Sequence, residues 1–212
     1  MPGRAAPQGI WIGGLVCSGK TSAAAELASR YGLRIYTFDG AEPLHIYRSV
    51  PERQPSLIRC MAMTMDERWV PRTPEAMAEH PFAAWSEERF PMALDDLRHL
   101  PGSGAVIAEG AGLLPEKVAP LLTDNRCALW LVATPDCIRQ GRTVRGEGVS
   151  QATSDPKRAF ENLVARDVLM TERIRLDADR LGLPVVSVDA DSLLGISAII
   201  ERHFASHLPG VC

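Results

Sequence analysis

The segment Gly14-Leu15-Val16-Cys17-Ser18-Gly19-Lys20-Thr21 fills every fixed position of the pattern G-x-x-x-x-G-K-[ST]. The chemistry that pattern serves is the binding of a polyphosphate. Unpaired N–H groups at a helix N-terminus carry partial positive charge and receive phosphate oxygens, while Gly14 and Gly19 permit a tight wrap of the backbone. Lys20 is placed to reach the β- and γ-phosphates, and the Thr21 hydroxyl to ligate a bridging Mg²⁺. The expected nucleotide contacts are Gly14, Cys17, Ser18, Gly19, Lys20, Thr21 and Ser22, with ATP and Mg²⁺ as cofactors. Cys17 is read as chosen for small size rather than for thiol chemistry.

Two carboxylates, Asp39 and Glu109, each end an apolar run. Transfer of a phosphoryl group to a hydroxyl needs a carboxylate to orient and accept the proton, and oxygen ligands for the metal or its waters. Asp39 suits the proton and also the metal. Glu109 suits the metal, with Gly110 and Gly112 allowing a substrate close to the backbone; the alternative for either acid is a strand-end residue that caps the next turn. Arg142 and Arg145, three apart, share a face from which they could neutralise charge on the transferring group. Arg166 is a third candidate, and the plainer reading makes all three solvated arginines paired with Glu147 or Asp167.

Five strand candidates position these residues: Gly9–Gly13, Arg34–Asp39, Ala105–Glu109, Cys127–Ala133 and Pro184–Asp189. Continuous apolar runs of this kind imply burial on both faces, as in a parallel sheet between helices. Helices are expected after the phosphate loop, ending at Gly32; from the cap Asp155-Pro156 to about Leu181; and after Asp191-Ser192, with Leu193, Ile196, Ile199, Ile200 and Phe204 on one face. In the long helix the stripe Phe160, Leu163, Val164, Val168 gives way to a displaced one, Met170, Ile174, Ala178, Leu181, which suggests a bend. The alternation of strands and helices predicts an α/β, doubly wound sheet in a single domain spanning residues 1–212.

Two segments break the alternation. Residues 40–104 are too long for a plain crossover and contain helical pieces at Pro55–Trp69 and Ser86–Leu100, which suggests a helical substrate-binding insertion. Residues 141–154 are polar, glycine-rich and arginine-bearing, as a mobile lid would be. The insertion holds Arg48, Arg53, Arg59, Arg68 and Arg72 beside Tyr47, Trp69, Trp85 and several methionines. Read functionally, these hold an anionic or ring-bearing acceptor, with Arg59 the named candidate; read plainly, they are a small core with arginines facing water.

With 212 residues, 46% hydrophobic and 23% charged, the chain can bury a sizeable core. A net charge of -3 supplies no basic footprint for nucleic acid. No run of about 18 apolar residues points to a membrane, and the first seven residues lack the apolar core of a secretory leader. Five cysteines without a C-x-x-C pair argue against disulfides and zinc. The expectation is a cytoplasmic monomer or homodimer whose partner is a small-molecule phosphoryl acceptor.

The loop, the strand-end acids and the lid arginines together resemble the P-loop small-molecule kinases, the superfamily of nucleoside, nucleotide, shikimate and gluconate kinases. Ala108-Glu109-Gly110 after an apolar strand is similar to the uridine kinase and phosphoribulokinase branch, and Gly110-Ala111-Gly112 is similar to the glycine run of shikimate kinases. The resemblance implies a five-stranded sheet of order 2-3-1-4-5, Mg²⁺ held near Thr21, Asp39 and Glu109, and Asp39 as base. A phosphotransferase is weighed against an NTP switch or ATPase, and against a protein that binds nucleotide without turnover. The first competitor lacks an Asn-Lys-x-Asp base reader and an apolar strand ending in Asp-Glu; the second is disfavoured by the two acids.

Overall fold

The computed structural model describes residues 9–102, 104–145 and 148–209. The first residues read above for a leader, Glu147 of the expected lid, and Cys212 lie outside them.

The elements run in the order β1 (Gly9–Gly13), α1 (Lys20–Tyr31), β2 (Arg34–Thr37), α2 (Glu42–Arg48), α3 (Pro55–Ala62), α4 (Met65–Trp69) and α5 (Pro74–Ala83). A π-helical segment, Ala84–Arg89, leads into α6 (Phe90–His99), followed by β3 (Val106–Glu109), α7 (Pro115–Val118), β4 (Ala128–Ala133) and α8 (Pro135–Val144). The chain closes with α9 (Gly148–Gln151), α10 (Pro156–Arg180), β5 (Val185–Val188) and α11 (Ile196–Phe204).

All five strands pair in parallel, in the order β2-β3-β1-β4-β5 that the resemblance implied. The period-two pleat sorts side chains between two layers. Trp11, Ala128 and Trp130 pack with residues of α6 and α10 on one face. Ile10, Ile12, Leu129 and Leu131 pack with α1 and α11 on the other. β3 and β4 are buried along their whole length, as the apolar runs required, whereas the edge strands β2 and β5 are only partly covered. Each large apolar side chain so buried contributes about 1.5–3 kcal/mol.

Local chemistry sets the helix ends. Gly32 takes the left-handed conformation that stops α1. Thr134 caps α8 by accepting the Cys137 N–H, and Asp155 caps α10 by accepting from Arg158 N, each before a proline at the first helical position. α10 runs unbroken through the displaced stripe: Met170, Ile174 and Ala178 pack with the sheet, while Val164 joins Cys137 and Ile138 of α8 in a second contact.

The insertion departs from expectation in two places. The Pro55–Trp69 piece is two helices, because Thr64 and Glu67 form a reciprocal cap that restarts the chain at α4. α5 exists although Pro74 and Pro81 argue for a break; Pro74 sits at its start and Pro81 is carried inside it. The π-helical segment follows α5 directly and leads into α6. Of residues 141–154, read above as a lid, 141–144 are the last turn of α8 and 148–151 form α9. Among the described residues no helix is long and apolar enough to cross a membrane.

Candidate active site

Parallel pairing sends the C-terminal ends of all strands to one edge, where ligands of open α/β sheets bind. β1 delivers the phosphate loop there. Gly14, at φ 124°, and Gly19, at φ 76°, take conformations that a side chain would strain, and a Cβ on Gly14 would lie 2.2 Å from Leu131 O. Cys17 is the one non-glycine among the described residues with positive φ, at 63°. Its buried Sγ points at Ile138 O of α8, 3.8 Å away, and burial pushes its thiol pKa up, so the sulfur is held as a packed thiol. Ser18 is likewise buried and donates to Leu15 O at 2.9 Å.

Lys20 is 6% exposed, with Nζ 3.4 Å from Leu15 O and 3.5 Å from Asp39 Oδ2. Thr21 donates to Glu109 Oε2 at 3.0 Å. The register that pairs Thr37 with Glu109 brings Asp39 beside the turn after β3, where Ala111 N–H donates to both carboxylate oxygens at 3.2 Å. Backbone thus fixes Asp39 while leaving it half-exposed. Glu109 is almost fully buried, and burial pushes its carboxyl above the usual range against the lowering pull of Lys20 and Thr21. Four of the residues read from sequence therefore converge at one edge.

The donors of this edge are hard oxygens, suited to Mg²⁺ rather than to zinc. Among the described residues no group of three His, Cys, Asp or Glu could cage a metal.

Gly110, at φ 147°, and Gly112 have a second reason to be glycine. A Cβ on Gly110 would lie 2.5 Å from Phe38 Cβ, and one on Gly112 2.0 Å from the Phe38 ring. The space the two glycines leave is filled by Phe38.

Arg142 closes the last turn of α8 and is mostly buried, so the solvated reading does not describe it. It pairs with Asp167, as does Arg166. Arg145 is exposed at the end of α8, its N–H donating to the carbonyl of Gly141, whose backbone packs on Cys17 of the loop. Ser22 is exposed on α1. Arg59 is exposed on α3, beside His80, whose pKa is lowered by burial and then by Arg72 and Arg59; no hydrogen bond or ion pair among the described residues ties Arg59 to the loop.

Sequence reading missed Arg89 and gave Asp167 only a pairing role. Arg89, 1% exposed, donates to Phe38 O at 2.7 Å, to His45 Nδ1 at 3.3 Å and to Glu42 at 3.1 Å, and lies 4.3 Å over the Phe38 ring. It braces the residue preceding Asp39. Asp167 carried a legible signal: it falls on the buried stripe of α10 at i+4 from Leu163, where a charge has to be paired. A cavity of about 400 Å³ between α5, α8 and α10, lined by Pro74, Pro135, Arg139, Glu161 and Val168, contains no residue of the loop and belongs to a different face.

No family model and no curated protein matches the chain. Among solved structures it is similar to a gluconokinase from Sinorhizobium meliloti 1021, at 18% identity over 97% of this chain and 95% of that one, TM-score 0.48. A shikimate kinase from Bacteroides thetaiotaomicron is 14% identical over 94% and 98%, TM-score 0.43. An uncharacterized protein from Eubacterium ventriosum ATCC 27560 is 12% identical over 94% and 99%, TM-score 0.43.

Proposed function

We propose that this chain is a phosphotransferase that moves the γ-phosphate of Mg²⁺·ATP to a hydroxyl of a small molecule. The observation that carries the reading is the meeting of Lys20 with Asp39 at 3.5 Å and of Thr21 with Glu109 at 3.0 Å, on the strand edge that also holds the phosphate loop. Loop N–H groups and Lys20 hold the phosphates. Thr21 and Glu109, with Asp39, would hold Mg²⁺, which supplies charge neutralisation on the β- and γ-oxygens.

Asp39, half-exposed and aimed by Ala111 N–H, is the proton acceptor. The acceptor oxygen forms its bond to the γ-phosphorus as its proton passes to the Asp39 carboxylate; the bond to the β–γ bridging oxygen breaks and ADP leaves. Arg142 and Arg145, on the end of α8 that packs on the loop through Gly141, would meet charge on the transferring group. The helices of 40–104 form the acceptor-binding insertion and 141–154 the lid that excludes water.

The test is ADP release from Mg²⁺·ATP across polyols, sugar acids, nucleosides and aminoglycoside-like compounds. A hydroxyl compound is expected to stimulate release, and Asp39→Asn to lower that turnover by about 10²-fold or more with nucleotide binding nearly intact. An unchanged rate in Asp39→Asn removes Asp39 as base. Release that no acceptor stimulates points instead to an ATPase or switch.

A further inference from the structure

Asp167 is fully buried in α10 and carries two arginines. Its Oδ2 accepts from Arg142 Nε at 2.7 Å and lies 2.6 Å from Arg142 Nη2; its Oδ1 accepts from Arg166 Nε at 3.0 Å and Nη2 at 2.5 Å. Two guanidiniums on one carboxylate leave one positive charge over, in a setting where charge is weakly screened.

The two arginines look in different directions. Arg142 follows Gly141, whose backbone packs against Cys17, and its charge, with those of Asp167 and Lys20, reaches the loop. Arg166 lies 4.8 Å over the Trp69 ring of α4, and Cys60 of α3 lies within its field. Nη1 of either arginine has no hydrogen-bond partner among the described residues. One buried carboxylate thus ties the nucleotide side of the cleft to the insertion.

We propose that Asp167 is a positioning residue that holds the Arg142 guanidinium toward the terminal phosphoryl group of bound nucleotide, with Arg166 held toward the insertion, the charge left over being completed by that phosphoryl group. The inference rests on the proposed phosphotransferase reading and adds a determinant of γ-phosphate recognition. A bridge that only pins α8 to α10 would stabilise the fold and treat ADP and ATP alike.

The experiment therefore compares affinities for Mg²⁺·ADP and Mg²⁺·AMP-PNP by calorimetric titration, together with Tm, and needs no acceptor. The wild type binds the triphosphate analogue more tightly. Asp167→Asn, which keeps shape and removes charge, lowers that preference by about tenfold while ADP affinity changes by less than about threefold. Arg142→Ala lowers it as much, and the double variant no further. Asp167→Glu retains an intermediate preference and replaces the Asn variant should that one not fold. An unchanged preference in Asp167→Asn or in Asp167→Glu, or equal loss for both nucleotides, overturns the proposal. A wild type without any preference overturns it as well, whereas a wild-type preference without acceptor-stimulated turnover leaves it standing and removes the phosphotransferase reading alone.

Discussion

Gly141 shows how closely the phosphate loop is held. A Cβ there would lie 2.4 Å from Cys17 Sγ and 2.8 Å from Cys17 Cβ, so the backbone of α8 packs directly on the loop at its one left-handed non-glycine residue. Alanine in a helix is favoured over glycine by up to about 1 kcal/mol, but overpacking costs about 1–3 kcal/mol and falls here on a residue already in a costly conformation. Gly141→Ala is therefore expected to weaken ATP binding about tenfold or more without raising Tm, as measured by titration and thermal unfolding. A stabilised variant with wild-type affinity would show that the loop yields freely. Nothing in the sequence marks this contact, because Cys17 and Gly141 meet only when α8 docks.

Between the edge strand and the insertion the device is a polar network. Arg89 Nε–H donates to His45 Nδ1, which places the His45 proton on Nε2, facing Asp96 Oδ2 at 2.8 Å and the Tyr36 hydroxyl at 3.4 Å. Arg48 reaches the other Asp96 oxygen at 2.7 Å. Protonating Nδ1 would set two donors against each other, and burial, followed by the repulsion of Arg89 and Arg48 against the pull of Asp96, holds the His45 pKa below its ordinary 6.5. The unfolded chain then takes up the proton first as pH falls. Stability contributed by neutral His45 is complete above pH 6.5 and is lost below it, with a slope of at most about 1.4 kcal/mol per pH unit. Urea unfolding between pH 7 and 5.5 is expected to show a shallower slope in His45→Asn than in the wild type; equal slopes would contradict the assignment. The π-helical segment makes the network possible, since adjacent Glu88 and Arg89 are both buried, the first accepting from Ser56 and Leu57 N–H at the start of α3. α5 was not among the helical pieces expected in the insertion; it carries Pro81 inside it, where tertiary packing on α10 outweighs local propensity.

At the scale of the molecule, the sheet was legible because burial on both faces writes itself as unbroken apolar runs, and Cys127–Ala133 became a fully covered β4 with only its first residue outside. The convergence of Lys20, Thr21, Asp39 and Glu109 was legible for a related reason: a phosphate loop and two strand-end acids share an edge in any parallel sheet. The brace from Arg89 was not, since it depends on a contact between residues 51 apart that only the packed helices create, and of the fork at Asp167 the sequence showed a pairing with the arginines but not the burial that α8 and α10 impose on it. The account rests on that shared edge being a metal–nucleotide site. Its most direct test is the affinity for ATP measured with and without Mg²⁺ in the wild type, Glu109→Gln and Lys20→Ala. Mg²⁺ is expected to tighten wild-type binding, Glu109→Gln to lose about tenfold or more of that gain at nearly unchanged metal-free affinity, and Lys20→Ala to lose binding in both conditions. ATP affinity that is indifferent to Mg²⁺, or that survives Lys20→Ala intact, would contradict it.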